Sequence, residues 1–265
     1  MLYETAFVKD GSKIMRIAYV VPGPMSKGPM GAAEVKRREG LLNDWAFEGT
    51  SVDVRDVPTG PTSIESAYEE ALSIPSTLEM IMQIEKEGYD AAIIGCFGDP
   101  GLEAARELVS MPVVGPCESS MLLAASLGHK FSVLTIFDSL IAGQEYLAVK
   151  AGVREKLASV RATGIPVLDL MKDVRTTKAR LIDVATACVE QDRADSIIYG
   201  CMTMSFLDMA YEISASVGIP SVNAGKAALK QAETLVSMDL AHSRTAFAPP
   251  PKVTKGHTVA DLKVG

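Results

Sequence analysis

One short pattern occurs twice in this chain of 265 residues: DAAIIGC at 90–96 and DSIIYGC at 195–201 carry Asp, apolar positions, Gly and Cys at an offset of 105 residues. A brief apolar run closed by Gly reads as a strand buried on both faces, which requires a parallel sheet with helices on either side. Each copy is followed by a helical stretch and then a short Pro-containing strand, MPVVG at 111–115 and GIPSVN at 218–223.

The same order of elements surrounds both copies. In the first half the periodicity predicts strands at 15–21, 51–57, 90–96 and 111–115, with helices near 32–47, 76–87 and 100–110. In the second it predicts strands at 129–136, 162–170, 195–201 and 218–223, with helices near 139–150, 177–191 and 206–217. Repetition of the whole order points to internal duplication. The expected fold is therefore α/β: two pseudo-symmetric domains, each a parallel four-stranded sheet flanked by helices, with the active-site cleft between them. The first spans 14–115 and the second 116–224. A last helix, about 225–240, is expected to pack back on the first, and the Pro-rich, aperiodic 248–265 reads as a surface tail.

Composition narrows the partners. A formal charge of −7 with scattered basic residues, KRR at 36–38 being the densest run, disfavours nucleic acid. The longest apolar runs, AAII at 91–94 and MLLAAS at 121–126, fall short of the roughly 18 to 20 residues that cross a bilayer. The first residues lack the pattern of a secretory signal, so a cytoplasmic protein without a membrane partner is expected. Four cysteines form no CxxC pair and three histidines lie far from one another, which argues against a metal site or a disulfide framework.

Ligands of open parallel sheets bind outside the carboxyl ends of the strands, where Cys96 and Cys201 stand. Each follows Gly and precedes a predicted helix, with Asp99-Pro100 as N-cap and first helical residue, so helix N-termini are expected to lower both thiol pKa values toward neutrality. One thiolate can then take a proton from one face of a carbon acid while a thiol opposite delivers another. Backbone N–H groups of Phe97, Gly98, Met202 and Thr203 are the expected donors to the enolate. No cofactor is needed for this chemistry. Cys117 and Cys188 have no such counterpart and read as structural. Ser63, Glu65 and Glu118 suit either helix capping or the cleft, and the Thr135 hydroxyl, ending a strand at the same rim, is a candidate substrate contact. The GDPG segment at 98–101 lacks the Gly-rich fingerprint with Lys of a nucleotide site.

GCFGDPGLEAARELVSMPVVGPCES (95–119), GPTSIESAYEEAL (60–72) and LGHKFSVLT (127–135) together resemble the Asp/Glu/hydantoin racemase superfamily, most closely its hydantoin and allantoin racemase branch. The resemblance runs from about 14 to 250. It implies two pseudo-symmetric α/β domains, a small-molecule substrate, a two-thiol mechanism and a homo-oligomer. It also implies substrate contacts from the loop after the first strand, here Pro22 and Gly23, and from Ser63. The chain departs from the branch there: Val21-Pro22-Gly23-Pro24 replaces the usual Asn-Pro-Asn-Thr. Bulky Met202 and Met204 follow the second thiol, and Asn223 stands where Asp is common. These changes point to a different substrate with both thiols kept.

The expected activity is inversion of a carbon next to a carbonyl in a small amide or hydantoin-like compound. The alternatives are an isomerase or decarboxylase of the same superfamily, with one cleft Cys as nucleophile or proton donor, and a non-catalytic small-molecule binding protein.

Overall fold

The computed structural model describes residues 14–254. Its first half runs β1 (Met15–Val21), α1 (Gly31–Trp45), β2 (Thr50–Asp56), α2 (Ala67–Lys86), β3 (Ala91–Ile94), α3 (Leu102–Leu108), β4 (Val113–Val114) and α4 (Pro116–Leu127). The second half continues β5 (Phe131–Thr135), α5 (Ile141–Lys150), β6 (Leu157–Ala162), α6 (Val174–Glu190), β7 (Ser196–Tyr199), α7 (Met202–Phe206), α8 (Ala210–Val217), β8 (Ser221–Val222) and α9 (Ala224–Ser237), before the short α10 (Pro251–Thr254). Two all-parallel four-stranded sheets result, in the orders β2-β1-β3-β4 and β6-β5-β7-β8. Registers match as well: Ile17 pairs with Ala91 in one sheet and Phe131 with Ser196 in the other.

Alternation along the strands sorts the core into three layers. Ile17, Tyr19 and Ile93 of the first sheet join Phe131, Val133 and Ile198 of the second in one apolar core between them. Ala18, Val20 and Ile94 face outward onto α2 and α3, while Leu134, Ile197 and Tyr199 face outward onto α6 and α8. The helices after the fourth strands exchange sides: α4 packs on β5, β7 and β8, α9 packs on β1, β3 and β4, and the two touch each other.

Three predicted elements differ. The strand read at 162–170 is β6, at Leu157–Ala162, followed by an irregular loop. Gly164, with φ of 76°, and Pro166 break any extension, and the strand was obscured by its polar residues Ser159 and Arg161, which bind Asp192 on the sheet edge. The helix read from residue 76 begins nine residues earlier, because Ser66 and Glu69 form a capping box: Ser66 Oγ accepts from the Glu69 amide and Glu69 Oε2 accepts from the Glu65 amide. That signal outweighs Pro75 inside the helix. The single helix read at 206–217 is two, α7 and α8, separated at Asp208, where φ is 53°. Of the 248–265 tail, residues beyond 254 lie outside the described region. Just before it, Phe247 reaches the cavity described below, and Arg244 donates to the carbonyls of Arg106 and Val109.

Candidate active site

Both cysteines stand at the carboxyl edge of the third strand of their sheet, each behind a glycine that the packing requires. A Cβ on Gly95 would lie 2.6 Å from the Tyr19 ring, and one on Gly200 would lie 2.8 Å from the Leu134 carbonyl oxygen. Without side chains, both residues continue the ladder, Gly95 N–H donating to Val20 O at 2.6 Å and Gly200 N–H to Leu134 O at 2.7 Å. The next residue of each strand then lines one shared cavity of about 700 Å³, to which both Cys96 and Cys201 contribute.

The chain leaves the two thiols differently. Cys201 is itself the N-cap of α7. After Cys96 comes a turn through Asp99 (φ 50°) and Gly101 (φ 72°), and α3 starts only at Leu102, with Gly101 as its N-cap. Asp99 is therefore not the cap of the following helix. Its carboxylate crosses to α4, accepting from the amides of Cys117 at 3.0 Å and Glu118 at 2.9 Å, while burial pushes its pKa up to about 7.

Burial also dominates the thiols, contrary to the expectation of two groups near neutrality. It pushes Cys96 up to about 12, against a hydrogen bond from the Gly98 amide, and raises Cys201 against the amides of Met204 and Thr203 and the charge of Arg38. The Gly98 and Thr203 N–H groups thus serve the sulfurs rather than standing free as enolate donors.

The other expected contacts divide. Pro22, Gly23, Ser63, Phe97, Gly98, Met202 and Thr203 all line the cavity. Gly23 allows the loops to close, since a Cβ there would sit 2.3 Å from the Pro61 carbonyl oxygen. Thr135 does not line it: the residue is fully buried, and its hydroxyl oxygen accepts from Gln144 Nε2 at 2.7 Å. Glu65 does not line it either and accepts from the Val167 amide at 2.6 Å, joining the halves, whereas Glu118, paired with Arg106, does line the cavity. Cys117 lines the cavity from α4, whereas Cys188 is buried in the outer core of the second sheet.

Several polar groups around the thiols were not legible in the sequence. Gln144 lies inside α5, where nothing marks it, yet its Nε2 is held by Thr135 and the Gly200 carbonyl, leaving Oε1 buried at the cavity wall without a partner among the described residues. Glu70 of α2 lines the cavity beside Gly98, and burial raises its carboxyl pKa against the charge of Lys150. Arg38, the last residue of the KRR run, is 2% exposed; its Nε donates to Glu34 Oε1 at 2.8 Å and its Nη2 to Thr203 Oγ1 at 3.1 Å. The Glu34–Arg38 spacing of i, i+4 was the one available hint. Across the mouth, Lys150 of α5 pairs with Glu103 of α3 at 3.1 Å.

A sequence model of the Asp/Glu/Hydantoin racemase family matches residues 37–232. A hydantoin racemase from Pseudomonas sp. (strain NS671) is 40% identical over 68% of this chain and 71% of its own length. One from Rhizobium meliloti is 34% identical over 79% and 87%. Among solved structures, the allantoin racemase from Klebsiella pneumoniae superposes with a TM-score of 0.82 at 28% identity, covering 90% of this chain and 94% of that one. An arylmalonate decarboxylase mutant shares the fold at a TM-score of 0.57 and 19% identity. With three quarters of its length inside that family model and two paired α/β sheets like those of the solved racemases, the chain belongs to the Asp/Glu/hydantoin racemase family and is a racemase of that type.

Proposed function

We propose that the protein inverts a carbon next to a carbonyl in a small amide or hydantoin-like compound by direct proton transfer between Cys96 and Cys201, without a cofactor. The observation that carries this reading is the convergence of two thiols, from equivalent points of a duplicated fold, on one cavity large enough for a single small molecule. A thiolate on one face breaks the C–H bond, and the electron pair moves onto the carbonyl. The thiol on the other face then protonates the carbon. Phe97 and Met202 line the cavity beside the two thiols, and in this reading their amides hold the developing oxyanion.

Substrate N–H groups need acceptors, and the loop Val21-Pro22-Gly23-Pro24 offers no side-chain amide. Gln144 Oε1 and the Glu70 carboxylate supply that chemistry, one near Gly200 and the other near Gly98. Ureides and cyclic imides carry matching donors.

Incubation of single enantiomers of chiral hydantoins, allantoin and related amides in deuterated water tests the reading. The expected result is loss of optical rotation with deuterium incorporated at the inverted carbon. Cys96→Ser and Cys201→Ser should each abolish racemisation; full turnover by either variant would show a single-thiol reaction instead. The reading extends to a homo-oligomer, measurable by sedimentation equilibrium.

A further inference from the structure

The two thiols occupy equivalent points of the repeat in unlike surroundings. Around Cys201 stand the Arg38 guanidinium from α1, the Thr203 hydroxyl and the backbone N–H groups of Thr203 and Met204, all of which favour the charged sulfur. A hydroxyl whose oxygen accepts from a guanidinium, as Thr203 does from Arg38 at 3.1 Å, keeps its own proton for the neighbouring sulfur. Thr203 stands where the first repeat has Gly98, so Cys96 has no hydroxyl at this point.

Around Cys96 the charged groups are carboxyls, Glu70 of α2 and Asp99, opposed by one amide, that of Gly98. Cys117 of α4 lies near it too, with its thiol raised well above the ordinary range by burial. Tyr19 of β1 is close to both sulfurs, and burial keeps its phenol protonated. The Cys201 sulfur also disfavours charge on Cys96, so ionisation of one works against ionisation of the other.

We propose that Arg38, acting through Thr203, makes Cys201 the more readily ionised thiol of the pair, the one that serves as base, and leaves Cys96 as its proton donor. This assignment rests on the two-thiol reading above and adds a direction to it. The Cys201 thiolate takes the proton from the face of the carbon turned toward it, and the Cys96 S–H bond breaks to protonate the opposite face. The product leaves behind a Cys201 thiol and a Cys96 thiolate. Before another molecule of the same enantiomer can react, Cys201 loses its proton to water and Cys96 gains one.

Exposure alone predicts the opposite order of reactivity, because Cys96 is partly exposed and Cys201 only 9%. A brief pulse of iodoacetamide on the whole native protein at pH 7, followed by trypsin and mass spectrometry, separates the two cysteines into different peptides. Cys201 is expected to be alkylated roughly tenfold faster than Cys96, the ratio that one unit of difference in thiol pKa produces. Equal rates, or a faster Cys96, would overturn the assignment. Thr203→Val and Arg38→Met should each slow Cys201 about tenfold and leave Cys96 unchanged, with Arg38→Lys restoring part of the rate. If Arg38→Met loses its circular dichroism signal, Thr203→Val decides: an unaltered Cys201 rate there removes the Arg38 link. Inactive Ser variants combined with a reversed alkylation order sink only this assignment, whereas active Ser variants sink the two-thiol reading itself.

Discussion

At the scale of single residues, burial and proton transfer pull against each other. Both thiols are raised, Cys96 to about 12, so at neutral pH little of the base form exists in the free cleft. Because a raised thiol pKa leaves the thiolate scarce below it, kcat/KM should climb with pH, about tenfold per unit while the base thiol is still mainly protonated. A flat profile between pH 6 and 9 would contradict this. Gln144→Leu removes the unpartnered Oε1 and, with it, one acceptor for a substrate N–H. A rise in KM on the order of tenfold is expected, the effect of about 1 kcal/mol or slightly more from one hydrogen bond, with kcat less affected. An unchanged KM would remove Gln144 from recognition. Cys188, in the outer apolar core, is expected to tolerate Cys188→Ala with racemisation retained.

At the scale of elements, the glycine before each cysteine is what lets strand, neighbour and thiol fit together. Gly95→Ala drives a methyl into the Tyr19 ring and the Val20 carbonyl, backbone that cannot swing away. We expect a loss of about 1 to 3 kcal/mol, read as a lower urea midpoint, with activity falling further because Cys96 moves with the strand. The two strand-and-cysteine motifs were legible because buried parallel strands need unbroken apolar runs. β6 was not, since a strand at a sheet edge can carry Ser159 and Arg161 on Asp192 and so lose its apolar signature. The start of α2 lies earlier than the apolar periodicity indicates, because the bonds of Ser66 and Glu69 fix it there despite Pro75 inside the helix.

For the whole molecule, the inner faces of both sheets share one apolar core, and α4 and α9 each pack on the opposite sheet. Neither half buries its inner face alone, so chemical denaturation should give one transition, with fluorescence and far-ultraviolet circular dichroism coincident. Two separated transitions would show halves that fold independently. The Lys150–Glu103 pair across the mouth is largely exposed and adds little to this, on the order of 0 to 1 kcal/mol.

Sequence alone determined what depends on local order: the duplicated β/α sequence, the parallel sheets, and the placing of Cys96 and Cys201 at matching strand ends. These follow from apolar runs, Gly and Pro at short range, which act the same way in any context. Tertiary structure alone decided which side chains meet at the thiols. Arg38 and Thr203 are 165 positions apart, Glu65 and Val167 102, and Gln144 is held by the carbonyl of Gly200, so no local pattern encodes their contact. It also decided the electrostatics, because desolvation is set by everything packed around a sulfur rather than by its neighbours in the chain.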